Sequence, residues 1–148
     1  YPIMADMKKY VYDAGKSAGA GDQVGTVLYM RGMYQALLST EAIRKAQEMS
    51  GEMNVTPAMV RDGMEALNIT EELMAARGMP GFGPAFQVSC ANHGGSGIAK
   101  IQQWDATTKK WSLVTDWISA DRSIIDPLIA EDSEAFAKEN NITERACN

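Results

Sequence analysis

The run Gly78-Met-Pro-Gly-Phe-Gly-Pro84 constrains the fold more than any other stretch of this chain. Three glycines and two prolines in seven residues cannot continue a helix or sit inside a central strand. Apolar residues recur at helical spacing before it and alternate after it. The chain therefore divides into a helical part over 1–78 and a strand and hairpin part over 85–118, followed by a helix and tail over 119–148. Together they form a single unit over 1–148. At 148 residues the chain lies near the size of one domain, roughly 100–150 residues.

Before the break, Ile3, Met4, Met7, Tyr10 and Val11 mark an amphipathic helix over about 3–16. A longer helix is predicted over 26–49. Its first half, around Val27–Met30 and Leu37-Leu38, is apolar nearly all round and is expected to be the buried half. Its second half carries Glu41, Arg44, Lys45 and Glu48 and is expected to be more exposed, with a Glu41–Lys45 pair. Thr56-Pro57 and Thr70-Glu71-Glu72 start helices over 57–67 and 71–77.

After the break, alternation gives strands over 85–90, 98–104 and 111–117, the last two joined by a turn at Asp105–Lys110. Asp126-Pro127 opens a final helix over 127–139. The sum is an α/β chain.

With 19 acidic against 14 basic residues, the net charge is −5. That balance opposes a phosphate backbone unless the basic residues are segregated, and Lys8-Lys9 and Lys109-Lys110 are only surface pairs. No apolar run approaches the roughly 18 residues of a membrane-spanning helix, and no secretory leader pattern is visible. The chain begins at Tyr1-Pro2 without an initiator Met, as expected of a processed chain or of a piece of a longer one.

The chemistry-bearing residues read mostly as structure. Gly19, Gly21 and Gly25 are spaced one residue too widely for a dinucleotide-binding fingerprint, and no strand precedes them. His93, the single histidine, lies three residues from Cys90, but a nucleophile pair needs hydrogen-bond reach and an orienting third group. One histidine and two cysteines give no zinc set and no other metal site. Glu71-Glu72 and Glu131-Asp132 read as solvated helix positions. Met4, Met7, Met59 and Met64 read as core filling, although ten methionines also fit an adaptable apolar surface. Asn54, Asn68 and Asn141 open glycosylation triplets whose threonines at 56 and 70 already serve as caps. Cys90 and Cys147 either pair, closing a loop worth about 4 kcal/mol, or stay free thiols.

A set of ordered blocks points further. Gly25-Thr-Val-Leu-Tyr-Met-Arg-Gly-Met-Tyr34, Glu41-Ala-Ile-Arg-Lys-Ala46 and Val60-Arg-Asp-Gly-Met-Glu-Ala-Leu67 come first. Val88-Ser-Cys-Ala-Asn-His-Gly-Gly-Ser-Gly97, Ile101-Gln-Gln-Trp-Asp105 and Asp116-Trp-Ile118 follow. Together they resemble the C-terminal part of the branched-chain amino-acid type of ABC-transporter substrate-binding protein, a type I periplasmic binding protein. The resemblance implies an α/β fold of two lobes closing on a ligand, here represented by its C-terminal part, with the 85–118 hairpin crossing between lobes.

It implies capture of an amino acid or an aromatic or other carboxylic acid, delivery to a membrane permease with its ATPase, a periplasmic address, no cofactor and no enzymatic reaction. A periplasmic address suits two cysteines able to pair. The family's ligand contacts carry over only to Val24 and the neighbouring Tyr29.

The departure is length: the first lobe of the family has no counterpart here. Without it the apolar half of the long helix is expected to drive self-association or to need a partner chain. The other reading is an independent helical interaction domain that presents a methionine-rich face.

Overall fold

In the computed structural model, residues 1–143 and 145–147 are described. The chain divides into two units, Tyr1–Gly95 and residues 96–148. The division falls after Gly95, past the Pro/Gly break, because a strand on the far side of that break pairs back onto the helical part.

The first unit contains four helices, α1 Pro2–Met7, α2 Val27–Ser50, α3 Pro57–Glu65 and α4 Glu71–Ala76, and two short strands, β1 Asn68–Ile69 and β2 Phe86–Gln87. The sequence predicts a first helix to residue 16. Instead, α1 widens into a π-helical turn over Lys8–Tyr12. The backbone N–H groups of Asp13 and Lys16 each reach five residues back, to Lys8 and Val11, at 2.8 Å. Lys8 Nζ clamps that turn to the Asp13 carboxylate at 2.6 Å.

Helix α2 spans nearly the expected residues and stops at Gly51, whose φ is 73°. Its burial meets the expectation in part: Met30 is buried, and Tyr29, Met33, Tyr34, Leu37 and Leu38 pack against the core. Val27 and Leu28 are 81% and 74% exposed, whereas Ala42 and Ala46, in the charged half, are essentially inaccessible. The cause is α3, which lies against that half. A Cβ on Gly63 would sit 2.7 Å from the Ala46 backbone nitrogen and closer still to the Ala42 carbonyl oxygen. Three small residues let two backbones touch, so contact there depends on the absence of side chain. Glu41 also has partners other than the one expected. It accepts from Arg77 Nε at 2.7 Å and pairs with Arg44 at 3.2 Å, while Lys45 turns to Glu48. The Arg77–Glu41 bridge ties the end of α4 to α2.

Helix starts follow the capping logic. Thr56 Oγ1 accepts from Met59 N, and Met59 Sδ accepts from Thr56 N, both at 3.3 Å. Thr70 Oγ1 accepts from Leu73 N at 3.1 Å. Both helices end before their expected limits, α3 at Glu65 and α4 at Ala76. At Gly78, φ is 73°, and a Cβ would lie 2.9 Å from Ile3 N. This close approach seats α1 on the end of α4, with Ile3 N donating to Gly78 O at 3.1 Å.

The core gathers Met30, Leu67, Ile69, Met74, Met79 and Ala42. Of the methionines expected to fill it, Met4 packs against it, Met7 and Met59 are half-buried, and Met64 is exposed. The expected strand over 85–90 shrinks to Phe86–Gln87, paired antiparallel with the unforeseen Asn68–Ile69. Two residues are too few for alternation to be read, and fully buried Ile69 is what the pairing places in the core.

The second unit holds β3 Ile98–Ala99, β4 Gln102–Asp105, β5 Lys110–Leu113, β6 Ile118–Ser119 and α5 Arg122–Glu139. The expected hairpin turn is present: Asp105 Oδ1 accepts from Thr107 N at 2.8 Å, and Asp105 Oδ2 accepts from Thr108 Oγ1 at 2.8 Å. The hairpin is interrupted, however. Ala99 pairs with Ile118 and Gln102 with Leu113, so two extra residues bulge out of the returning strand. Thr115 Oγ1 takes the Ile101 N–H inside that bulge at 3.0 Å.

The last helix begins five residues earlier than the proline rule implies. Asp121 caps it, accepting from Ser123 N at 3.0 Å and Ser123 Oγ at 2.6 Å, and Pro127 lies inside the helix. The cap outweighs the single bond that Pro127 removes.

Filling the α2–α3 contact tests this packing. Gly63→Ala is expected to cost about 1–3 kcal/mol, the range for overpacking a closed contact. Urea unfolding measures it, and a loss below about 0.5 kcal/mol, the level of a neutral surface change, contradicts the close approach.

Candidate functional site

The lead-in to α2 carries both ligand-contact candidates. A single 3₁₀ turn, Gly21–Gln23, precedes it. Val24 follows in extended conformation, half-buried, its N–H on Gly21 O at 3.3 Å. Thr26 is the N-cap residue, yet its hydroxyl donates backward to Gln23 O at 2.8 Å and caps nothing in the helix. Thr26 therefore leaves the first turn of α2 without a side-chain cap, and the main-chain N–H groups there carry the positive end of the helix dipole.

Tyr29 lies on the first turn, half-buried, and packs against the core. Its hydroxyl meets that of Tyr12 at 3.3 Å, and the Tyr12 ring rests against Gly21. The π-helical turn thus carries Tyr12 over the lead-in, a contribution that sequence spacing did not reveal. The hydrogen bond with Tyr12, followed by burial, pushes the Tyr29 phenol up to about 12. Tyr29 stays protonated at physiological pH. The lead-in thus offers a pair of phenol hydroxyls and a helix start that its N-cap residue does not cap, which suits hydrogen bonding to a polar or anionic group. It offers neither a nucleophile nor a base.

The other sequence candidates take structural places. Gly19 and Gly25 lie on either side of the 3₁₀ turn that Gly21 opens, in a segment reached from a helical turn, not from a strand. Cys90 and Cys147 are both disulfide-bonded, so no Cys90 thiol is available to His93. His93 Nε2 is 3.4 Å from Glu65 Oε1. That pair borders an open cavity of about 320 Å³ in the first unit, lined mainly by Leu38, Met64, Leu67, Phe86 and Val88. Arg61 also borders it, but its guanidinium is turned to Asp62 at 2.6 Å.

Glu71 and Glu72 occupy the first turn of α4. The Glu72 carboxyl is held below its usual range by its own backbone N–H and by Thr70. Glu131 and Asp132 are exposed on α5. Among the described residues no group of three or more His, Cys, Asp or Glu side chains converges as a metal site, and no helix is long and apolar enough to cross a membrane.

The tyrosine pair has a measurable signature. In the unsubstituted chain, phenol absorbance is expected to include a titration near pH 12 from Tyr29. Tyr12→Phe removes the bond and brings that titration down toward the ordinary value of about 10. Because the folded-state value exceeds the unfolded one, Tyr29 favours folding up to about pH 10, and this contribution falls away as pH rises toward 12. An unchanged titration in the variant contradicts the pairing.

No protein-family model matches the chain, and no curated protein matches it. Among solved structures, it is similar to the crystal structure of an ABC transporter permease from the Pseudomonas fluorescens group, with 38% identity and a TM-score of 0.85. The match takes in the whole of this chain and 35% of that one, so the chain spans about a third of that relative's length. At that identity over every residue, this chain is related to an ABC-transporter component.

Proposed function

We propose that the chain is the C-terminal portion of the solute-binding component of an ABC uptake transporter. In this reading, two α/β lobes of a type I periplasmic binding protein close on a small amino acid or an aromatic or other carboxylic acid. The closed form is then delivered to the membrane permease and its ATPase. The task is reversible capture, with no reaction and no cofactor. The observation that carries the transport role is the 38% identity, over the whole chain, to an ABC-transporter component. That relative is called a permease, so the binding role rests on the chain's own features.

Two features support it. The α2 lead-in brings Val24, the Tyr12–Tyr29 hydroxyl pair and an uncapped helix start together. Main-chain N–H groups at a helix start and phenol hydroxyls are suited to a carboxylate. Exposed Val27 and Leu28 beside them offer apolar surface to a side chain. The disulfide-bonded state of Cys90 and Cys147 fits an oxidising compartment such as the periplasm. The alternative, an interaction domain with a methionine-rich surface, is weakened because Met30, Met74 and Met79 are spent in the core.

A thermal-shift panel of amino, aromatic and small carboxylic acids tests the reading on the longer relative and on this chain. At least one acid is expected to stabilise the relative, by about 2.7 kcal/mol at a hundred times its dissociation constant. This chain alone, lacking most of the cleft, is expected to show little shift. A broad panel that leaves the relative unstabilised overturns the binding role.

A further inference from the structure

The start of α3 carries a capping box with a methionine in it. Such boxes pair a Ser or Thr N-cap with a Glu or Gln three residues on, whose side-chain oxygen accepts the N-cap N–H. Here the second partner is Met59. Its N–H donates to Thr56 Oγ1, and its sulfur accepts from the Thr56 N–H, both at 3.3 Å. A thioether sulfur is a weak acceptor, so this half of the box is the weak half. The Met59 side chain is half-buried. It also borders an open cavity of about 190 Å³, shared with Met49, Ser50 and Asp62. The sulfur thus has a main-chain donor beside it, and the side chain has open space next to it.

We infer that Met59 is an oxidation site whose sulfoxide completes the capping box of α3. The oxidant is a peroxide. A lone pair of the sulfur attacks one peroxide oxygen, the O–O bond breaks and an S–O bond forms. The sulfur loses two electrons, and hydrogen peroxide leaves as water. The product has the shape of glutamine: its oxygen is bonded to the δ atom, as the amide oxygen of Gln is bonded to Cδ. Oxidation therefore places an oxygen acceptor where the box takes one, and the adjoining cavity has room for the added atom. Met74 and Met79 have the opposite setting. They are essentially inaccessible, in a core that a polar sulfoxide would disrupt, and burial keeps the oxidant from them. Sulfoxide reductases return the thioether, so the change at Met59 is reversible.

Mild hydrogen peroxide, peptide mapping by mass spectrometry and amide exchange read by NMR test this on the chain itself. Met59 is expected to gain one oxygen under conditions that leave Met74 and Met79 unmodified. The Thr56 N–H is then expected to exchange about fivefold more slowly, the factor of a typical helix cap. Met59→Gln supplies the oxygen without oxidant and is expected to slow the same amide by a similar factor. Met59→Leu removes the acceptor. Its Thr56 N–H is expected to exchange faster than in the unsubstituted chain and not to respond to peroxide, although exposed Met49 and Met53 are oxidised there too. Met59 left unmodified once Met49 and Met53 are oxidised overturns the inference. So does a Thr56 amide that peroxide or the Gln substitution leaves unchanged or makes faster. Equal slowing by peroxide in Met59→Leu assigns the effect to another methionine and overturns it as well.

Discussion

The backbone contact between α2 and α3 is the constraint on which the first unit depends. Ala42 and Ala46 meet Gly63 with no side chain between the two helices. That closeness fixes where α3 ends and so where Leu67 and Ile69 enter the core. Ile69 then anchors the two-residue pairing with Phe86, which carries the chain past the Pro/Gly break and keeps β2 with the helices. Met30, Met74 and Met79 fill what remains. Unbranched thioether side chains suit the irregular gaps of such a core.

The second unit stands on a different basis. Its order comes from local devices: the Asp105 turn, the Asp121 cap, the Thr115 bond inside the bulge and the Lys100 ammonium 4.8 Å from the Trp117 ring centre. Local hydrogen bonds set conformation, but they do not replace apolar burial as a source of stability. One chain therefore holds a unit with a core and a unit whose apolar side chains remain at the surface.

Elements marked by their own residues were legible in the sequence. The caps at Thr56 and Thr70 and the turn at Asp105 each follow from a side chain acting within a few positions. Features decided by distant partners were not. Periodicity counts apolar residues, so it assigned burial to Val27 and Leu28. The burial of Ala42 and Ala46 depends on a glycine seventeen or more positions away. The start of α5 went to Pro127 because a proline opening rule competed with an Asp-x-Ser cap, and the cap prevailed. At the candidate site, Val24 and Tyr29 came from family resemblance. Tyr12 was invisible because a π-helical turn, which no spacing announced, carries it to Tyr29.

The uneven distribution of burial is open to one direct measurement. Limited proteolysis under native, reducing conditions, with intact masses of the products, reads which backbone opens first. Cleavage is expected first within residues 96–148, leaving a resistant product that ends near Gly95. First cuts within α2 or α3, or equal resistance along the whole chain, contradict a core confined to the first unit.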